Sequence, residues 1–140
     1  MKSITPPMKF VMDLSRLQAK LLKSVDSQLS VHGINFTEFM VMHQLSRAPG
    51  FSMRRIELAE RIGLSASGVT RLLLPMEKIG LISKEQNLRD ARVSMVKLTD
   101  AGMRLFEDAL VTFDHSTDSL MRTVDNRQVE QFLKLAESLL

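Results

Sequence analysis

Two short runs hold the side chains best suited to chemistry. One is Ser65-Ala66-Ser67-Gly68-Val69-Thr70-Arg71, small and polar and ending on a guanidinium. The other is Arg89-Asp90-Ala91-Arg92, two cations around one carboxylate. A guanidinium presents a planar fork of donors that suits a guanine edge or a phosphate oxygen pair. Arg54 and Arg55 add two more cations nearby in sequence. Covalent catalysis has less to work with. Cysteine is absent, which excludes disulfides, thiolate metal sites, cysteine nucleophiles and thiol redox sensing. Serine, histidine and aspartate are present, but no nucleophile-elbow motif or phosphate-binding glycine loop organises them. Of His32, His43 and His115, only His115-x-x-Asp118 has a helical ligand spacing, and such a lone pair is usually an ordinary polar pair on a surface. No catalytic residue, metal ligand or cofactor is assigned.

Those runs need elements to position them. Phe10, Leu14, Leu17, Leu21, Leu22, Val25 and Leu29 trace one face of a first helix, which Gly33 ends. Asn35, with Glu38 three residues on, forms a capping box for a second helix through Phe39, Val41, Met42 and Leu45. Pro49-Gly50 marks a turn. Ser52 suits the cap of a third helix carrying Ile56, Leu58, Ala59 and Ile62, closed by Gly63. Ser65 suits the cap of a fourth, in which Val69, Leu72, Leu73 and Met76 make one buried stripe. Pro75 lies inside that helix, where a kink is expected. Leu81–Glu85 and Val93–Leu98 suit extended chain around the charged stretch Gln86–Arg92, so a hairpin is predicted. Thr99 caps a long fifth helix, and Asp125, with Gln128 three residues later, caps a last one carrying Val129, Phe132, Leu133, Ala136 and Leu139.

Composition sets the class. The chain has 140 residues, 44% apolar and 25% charged, which fits one ordinary domain spanning 1–140. No apolar run approaches the roughly 18 residues needed to cross a bilayer. Pro6, Pro7 and Asp13 interrupt the N-terminal region, so no apolar signal-peptide core is read and a cytoplasmic protein without membrane contact is expected. The net charge is +3, and residues 51–100 carry all of it, with nine Lys and Arg against six Asp and Glu. A localised basic segment suits a polyanion, although an excess of this size is close to ordinary fluctuation.

The middle of the chain thus reads as two short helices, the tight turn Gly63-Leu64-Ser65, and a hairpin. That order has the helix-turn-helix geometry, in which the second helix can enter the DNA major groove. With the apolar stripe inward, Ser67, Thr70, Arg71 and Lys78 face outward. Arg71 is suited to guanine or phosphate, and Arg54 and Arg55 to phosphate. An Arg on a hairpin tip suits the narrow minor groove, with Asp90 available to direct Arg92. The same spacings also fit an ordinary core helix with a polar face and a solvated charged turn.

The run Ile56-Glu57-Leu58-Ala59-Glu60-Arg61-Ile62-Gly63-Leu64-Ser65-Ala66-Ser67-Gly68-Val69-Thr70-Arg71-Leu72-Leu73 resembles the MarR family of regulators, as does Met76-Glu77-Lys78-Ile79-Gly80-Leu81-Ile82. Asp90-Ala91-Arg92 is similar to that family's Asp-x-Arg signature, and Leu98-Thr99-Asp100-Ala101-Gly102 to its Leu-Thr-x-x-Gly start of the fifth helix. The resemblance implies a mainly α fold with a small β-hairpin wing and interlocking N- and C-terminal dimerisation helices. It implies Ser65, Ser67, Thr70 and Arg71 on bases and phosphates, and Arg92 in the minor groove, oriented by Asp90. With Arg54, Arg55, Lys78 and Arg89 these make the candidate DNA-binding set. The winged-helix part is placed at 34–98, and dimerisation helices at 8–31 and 99–140.

The apolar faces of the first and last helices exceed what one small core can bury, which favours a homodimer and a pseudo-palindromic site on double-stranded DNA. Resemblance also implies a small aromatic or anionic effector, for which Met40, His43 and residues of the fifth helix are candidate lining. The expected function is a sequence-specific DNA-binding transcriptional repressor, not an enzyme. The alternative is a winged-helix adaptor that binds protein instead of DNA.

Overall fold

Capping residues set most of the element boundaries. The computed structural model describes residues 2–86, 89, 90 and 92–140; Met1, and Asn87, Leu88 and Ala91 of the predicted hairpin tip, lie outside the described residues. Helix α1 spans Pro6–Leu29, with the Thr5 hydroxyl accepting from the Met8 N–H. Pro6 and Pro7 occupy its first two positions, where a missing N–H costs nothing. The helix predicted from Phe10 therefore begins one turn earlier. A single 3-10 turn, Ser30–His32, follows, and Gly33 leaves it at φ 73°. Helix α2 spans Phe36–Arg47 behind the predicted Asn35–Glu38 capping box, with both reciprocal bonds at 2.9 Å.

The next segment departs from expectation. Ser52 does not cap a helix. Ser52–Arg54 form strand β1, and α3 spans Arg55–Ile62 behind Arg54, which makes no side-chain cap bond. Gly50 and Phe51, both at positive φ, turn the chain into β1. There Met53 is buried opposite Val96, and the Ser52 hydroxyl donates to Glu85 at 2.9 Å. The predicted two-stranded wing thus gains a third strand.

Helix α4 spans Ala66–Lys78, β2 Ile82–Gln86, β3 Ser94–Leu98, α5 Asp100–Leu120 and α6 Asn126–Leu139. The sheet is antiparallel in the order β1-β3-β2. Pro75 stays within a continuous α4. The core gathers Val69, Leu73 and Met76 of α4 with Leu58 of α3, Val41, Met42 and Leu45 of α2, and Val96 of β3. Phe39 of α2 meets Phe106 and Phe113 of α5, with ring centroids 5.2 and 4.7 Å away. Residues 11–20 of α1 are all exposed, and α6 buries no residue.

One crossing joins the wing to α5. The Thr99 hydroxyl donates to the Gly80 and Leu81 carbonyls and accepts from the Gly102 N–H, while the Thr99 N–H donates to Leu81 O. Gly102 is buried there, and a Cβ on it would lie 2.1 Å from Leu81 O and 2.7 Å from Leu98 Cδ1. Backbone cannot yield as a flexible side chain would. Gly102→Ala is expected to cost about 3 kcal/mol, in the range for overpacking. Urea unfolding should show a lower midpoint, and an unchanged one would contradict this packing.

Candidate nucleic-acid interface

The tip of α4 is built by a glycine stop and a serine start. Gly63 leaves α3 at φ 73°, and the Leu64 N–H returns to Ala59 O at 2.9 Å. Only a residue tolerant of the left-handed region turns the chain this way cheaply. Ser65 then accepts from the Gly68 N–H at 3.1 Å. A Cβ on Gly68 would lie 3.2 Å from the Ser65 hydroxyl, so the absence of a side chain leaves room for the cap. Burial of Val69 and Leu73 leaves Ser65, Ala66, Ser67, Thr70 and Arg71 exposed on the opposite face. The Ser65 and Ser67 hydroxyls lie 3.3 Å apart.

Thr70 and Arg55 meet across the turn. Arg55 Nη2 donates to Thr70 Oγ1 at 3.0 Å, and that hydroxyl donates to Ala66 O at 3.1 Å. In the wing, Asp90 holds Arg92 by three bonds. Arg92 Nε and Nη2 donate to Asp90 Oδ1 and Oδ2 at 3.1 and 3.2 Å, and the Arg92 backbone N–H donates to Oδ1 at 3.0 Å. The Arg92 side chain nevertheless stays 91% exposed. The expected direction-setting pair is therefore formed. The Arg92 side-chain bonds, its backbone N–H and the charge of Arg54 hold the Asp90 carboxyl below the usual range.

Arg54, Arg55, Thr70 and Arg92 line one open groove of about 610 Å³ between α3, α4 and the wing. Its floor includes Ile56, Ala59, Leu64, Val69 and Val93, with Glu60 and Ser94 also in the wall. Ser65, Ser67 and Arg71 stand at the exposed end of α4 beside it, and Arg89 is exposed in the wing. Lys78 is exposed at the other end of α4, about 10 Å along the axis from Arg71 at 1.5 Å per residue. The structure does not bring it to the groove.

Met40 and His43 are half-buried on α2. The His43 ring lies 6.1 Å from the Phe106 ring. His43 lines a second cleft of about 340 Å³ with Arg47, Ser52, Met53, Glu57 and Arg61, and Met40 is not in that wall. Among the described residues no group of three or more His, Asp or Glu is placed to hold a metal ion. Among them no helix is long and apolar enough to cross a membrane.

Sequence reasoning missed the groove floor. Ile56, assigned to the apolar side of α3, is 68% exposed. Its helical phase was the available signal, since two residues before Leu58 lies the opposite face. Val93 and Ser94 had no such signal, because they meet α3 and α4 at the groove through the fold and not through helical spacing.

An exposed helix tip, a preceding helix across a tight turn and an arginine-bearing wing define a winged helix-turn-helix protein. Residues 34–94 match the model of the MarR family. It is 29% identical over 121 residues to the transcriptional repressor MprA of Escherichia coli K12, covering 84% of this chain and 69% of that one. Its fold matches a mutant MarR from E. coli complexed with operator DNA, at TM-score 0.87 and 18% identity, covering 100% of this chain and 99% of that one. It also matches CouR from Rhodococcus jostii RHA1 bound to p-coumaroyl-CoA, at TM-score 0.83 and 20% identity, covering 99% and 95%.

The wing clip has a pH signature. A carboxyl whose folded value is depressed below its unfolded value binds protons more readily when unfolded. The Asp90–Arg92 contribution is therefore present above the ordinary carboxylate value, 3.8, and is lost as pH falls through the depressed one. Side-chain NMR titration should place the Asp90 midpoint below the ordinary carboxylate value of 3.8, and Arg92→Ala should raise it. An Asp90 midpoint at the ordinary value would contradict the clip.

Proposed function

We propose that this chain is a transcriptional repressor that binds double-stranded operator DNA as a homodimer and is not an enzyme. One observation carries the reading. The small, polar tip of α4 is held outward by its buried underside, with Arg54, Arg55 and Arg92 ranged along the groove beside it. A recognition helix needs an unobstructed first turn and flanking cations for phosphate. Ser65, Ser67, Thr70 and Arg71 face bases and phosphates. Arg54, Arg55 and Arg89 add phosphate contacts. Arg92 enters the minor groove in the direction set by Asp90. Lys78 stands beyond this set. Residues 34–98 act as the DNA-binding part.

Helices at 8–31 and 99–140 supply the dimer. Exposed Val11, Leu14, Leu17, Phe132, Leu133 and Leu139 would be buried against a second copy, related by a two-fold axis. MprA is named a repressor, and MarR is bound to operator DNA. CouR holds an acyl-CoA, which supports release by a small aromatic or anionic effector, with His43 as a candidate contact. The absence of any membrane-spanning helix among the described residues and the proposed DNA target support a cytoplasmic location.

Selection of bound duplexes from random fragments tests the reading. The expected product is a pseudo-palindrome with half-sites about one helical turn apart, bound in a salt-sensitive way. Failure to enrich any duplex would favour the adaptor alternative. Replacing Arg71 with alanine should cost about 1–3 kcal/mol and relax the preference at one base pair. A uniform loss across sequences would make Arg71 a phosphate contact. Arg92→Ala should weaken binding most on sites with a narrow minor groove. Equal affinity on such sites would remove the wing from the interface.

A further inference from the structure

The Thr70 hydroxyl has one hydrogen and two lone pairs. Its hydrogen is given to Ala66 O at 3.1 Å, and one lone pair accepts from Arg55 Nη2 at 3.0 Å. Phosphate oxygens, guanine O6 and N7, adenine N7 and thymine O4 are all acceptors, so they need a donor. Thr70 as placed has no hydrogen left for any of them, and its one remaining lone pair leaves only an adenine N6 or cytosine N4 amino group as a base partner. Arg55 has the opposite account, because only one of its five N–H groups is engaged by Thr70. Its guanidinium is fixed against the exposed face of α4, in the wall of the groove that also holds Arg54 and Arg92.

We infer that Thr70 is a positioning residue, whose hydroxyl holds the Arg55 guanidinium in place to grip a DNA phosphate, and that it does not read a base itself. The inference rests on the DNA-binding reading above and reassigns one member of its contact set. Ala66, Thr70 and Arg55 form a relay in which the helix backbone orients a hydroxyl and the hydroxyl orients a cation. A cation on an unrestrained side chain must lose its rotamer freedom on binding, whereas a held one has already lost part of it. The relay also ties α3 to α4, so the Arg55 charge keeps a fixed offset from the tip that meets the bases.

A double-mutant cycle tests this, with the full-length chain and the duplex it enriches from a random library, together with that duplex's single-base-pair variants. Thr70→Val keeps the shape and removes the hydroxyl, and it should weaken binding about fivefold on every duplex alike. Arg55→Ala should weaken it about tenfold and flatten the salt dependence by about one phosphate. In the Arg55→Ala background, Thr70→Val should add less than about twofold, because nothing remains to be positioned. Thr70→Ser, which keeps the hydroxyl, should restore binding. Circular dichroism and the thermal midpoint separate a folding defect from a lost contact. The inference is overturned if Thr70→Val costs as much without Arg55 as with it, if its loss is confined to one base pair, if it costs nothing, or if Thr70→Ser fails to restore binding. A wild-type chain that enriches no duplex would remove the DNA-binding reading itself, and this inference with it. Normal wild-type binding with an additive cycle would remove this inference alone.

Discussion

The meeting of Thr99 with the backbone at Gly80 and Leu81 is the constraint on which the arrangement depends. Four segments converge there: the end of α4, the start of β2, the end of β3 and the start of α5. The Thr99 side chain bonds to the carbonyls of Gly80 and Leu81 and caps α5 through Gly102. Its backbone N–H takes Leu81 O as well. Gly102 permits the approach by carrying no side chain. Because α5 also holds Phe106 and Phe113 against Phe39 of α2, the crossing fixes the long helix relative to the wing and to α4 together. A change in the angle of α5 therefore cannot leave the wing where it was.

The two faces of α4 follow from that frame. Val69, Leu73 and Met76 are almost fully buried, so each contributes on the order of 1.5–3 kcal/mol of apolar burial. That burial sets the helix's rotation, and the rotation puts Ser67, Thr70 and Arg71 outside. Small residues in the first turn cost helix propensity, and Gly68 alone costs about 1 kcal/mol against alanine. The Ser65 cap offsets a similar amount, and it needs the space that Gly68 leaves. The polar tip is thus locally weak and held by its underside, which is tolerable because the underside belongs to the main core.

Most of the fold could be read in the sequence because its signals are local. The Asn35–Glu38 and Asp125–Gln128 boxes, the Gly63 stop and the Ser65 and Thr99 caps each lie within a few residues of the boundary they set. Local reading failed where pairing partners are distant. β1 is only Ser52–Arg54, and its reason for being extended is β3, some forty residues later. Ser52 looked like a cap because serine suits both roles. Pro6 and Pro7 looked like an interruption, since the same rigid φ that breaks a helix also starts one. At the site, the outward face of α4 and the Asp90–Arg92 pair were legible from spacing. The Arg55–Thr70 bond was not, because it joins two helices through a turn whose geometry spacing does not give.

The ion pairs add a last constraint. Glu57–Arg61, Lys9–Asp13 and Glu77–Lys84 are at least partly exposed and have little weight in stability. They do neutralise cations away from the groove. Arg54 and Arg55 have no such partner within 4.0 Å among the described residues, so both keep their charge in that groove, where Glu60 is also in the wall. Asp90 is the exception, since it cancels part of the charge of Arg92 in that same groove. The gain that offsets this loss is direction. A free arginine carries about 2 kcal/mol of rotamer entropy, and two parallel bonds to a carboxylate remove much of it in advance. For a cation that must enter a narrow groove at one angle, orientation is worth more than an additional fraction of charge, and the 91% exposure of Arg92 shows that the clip holds the side chain without hiding it.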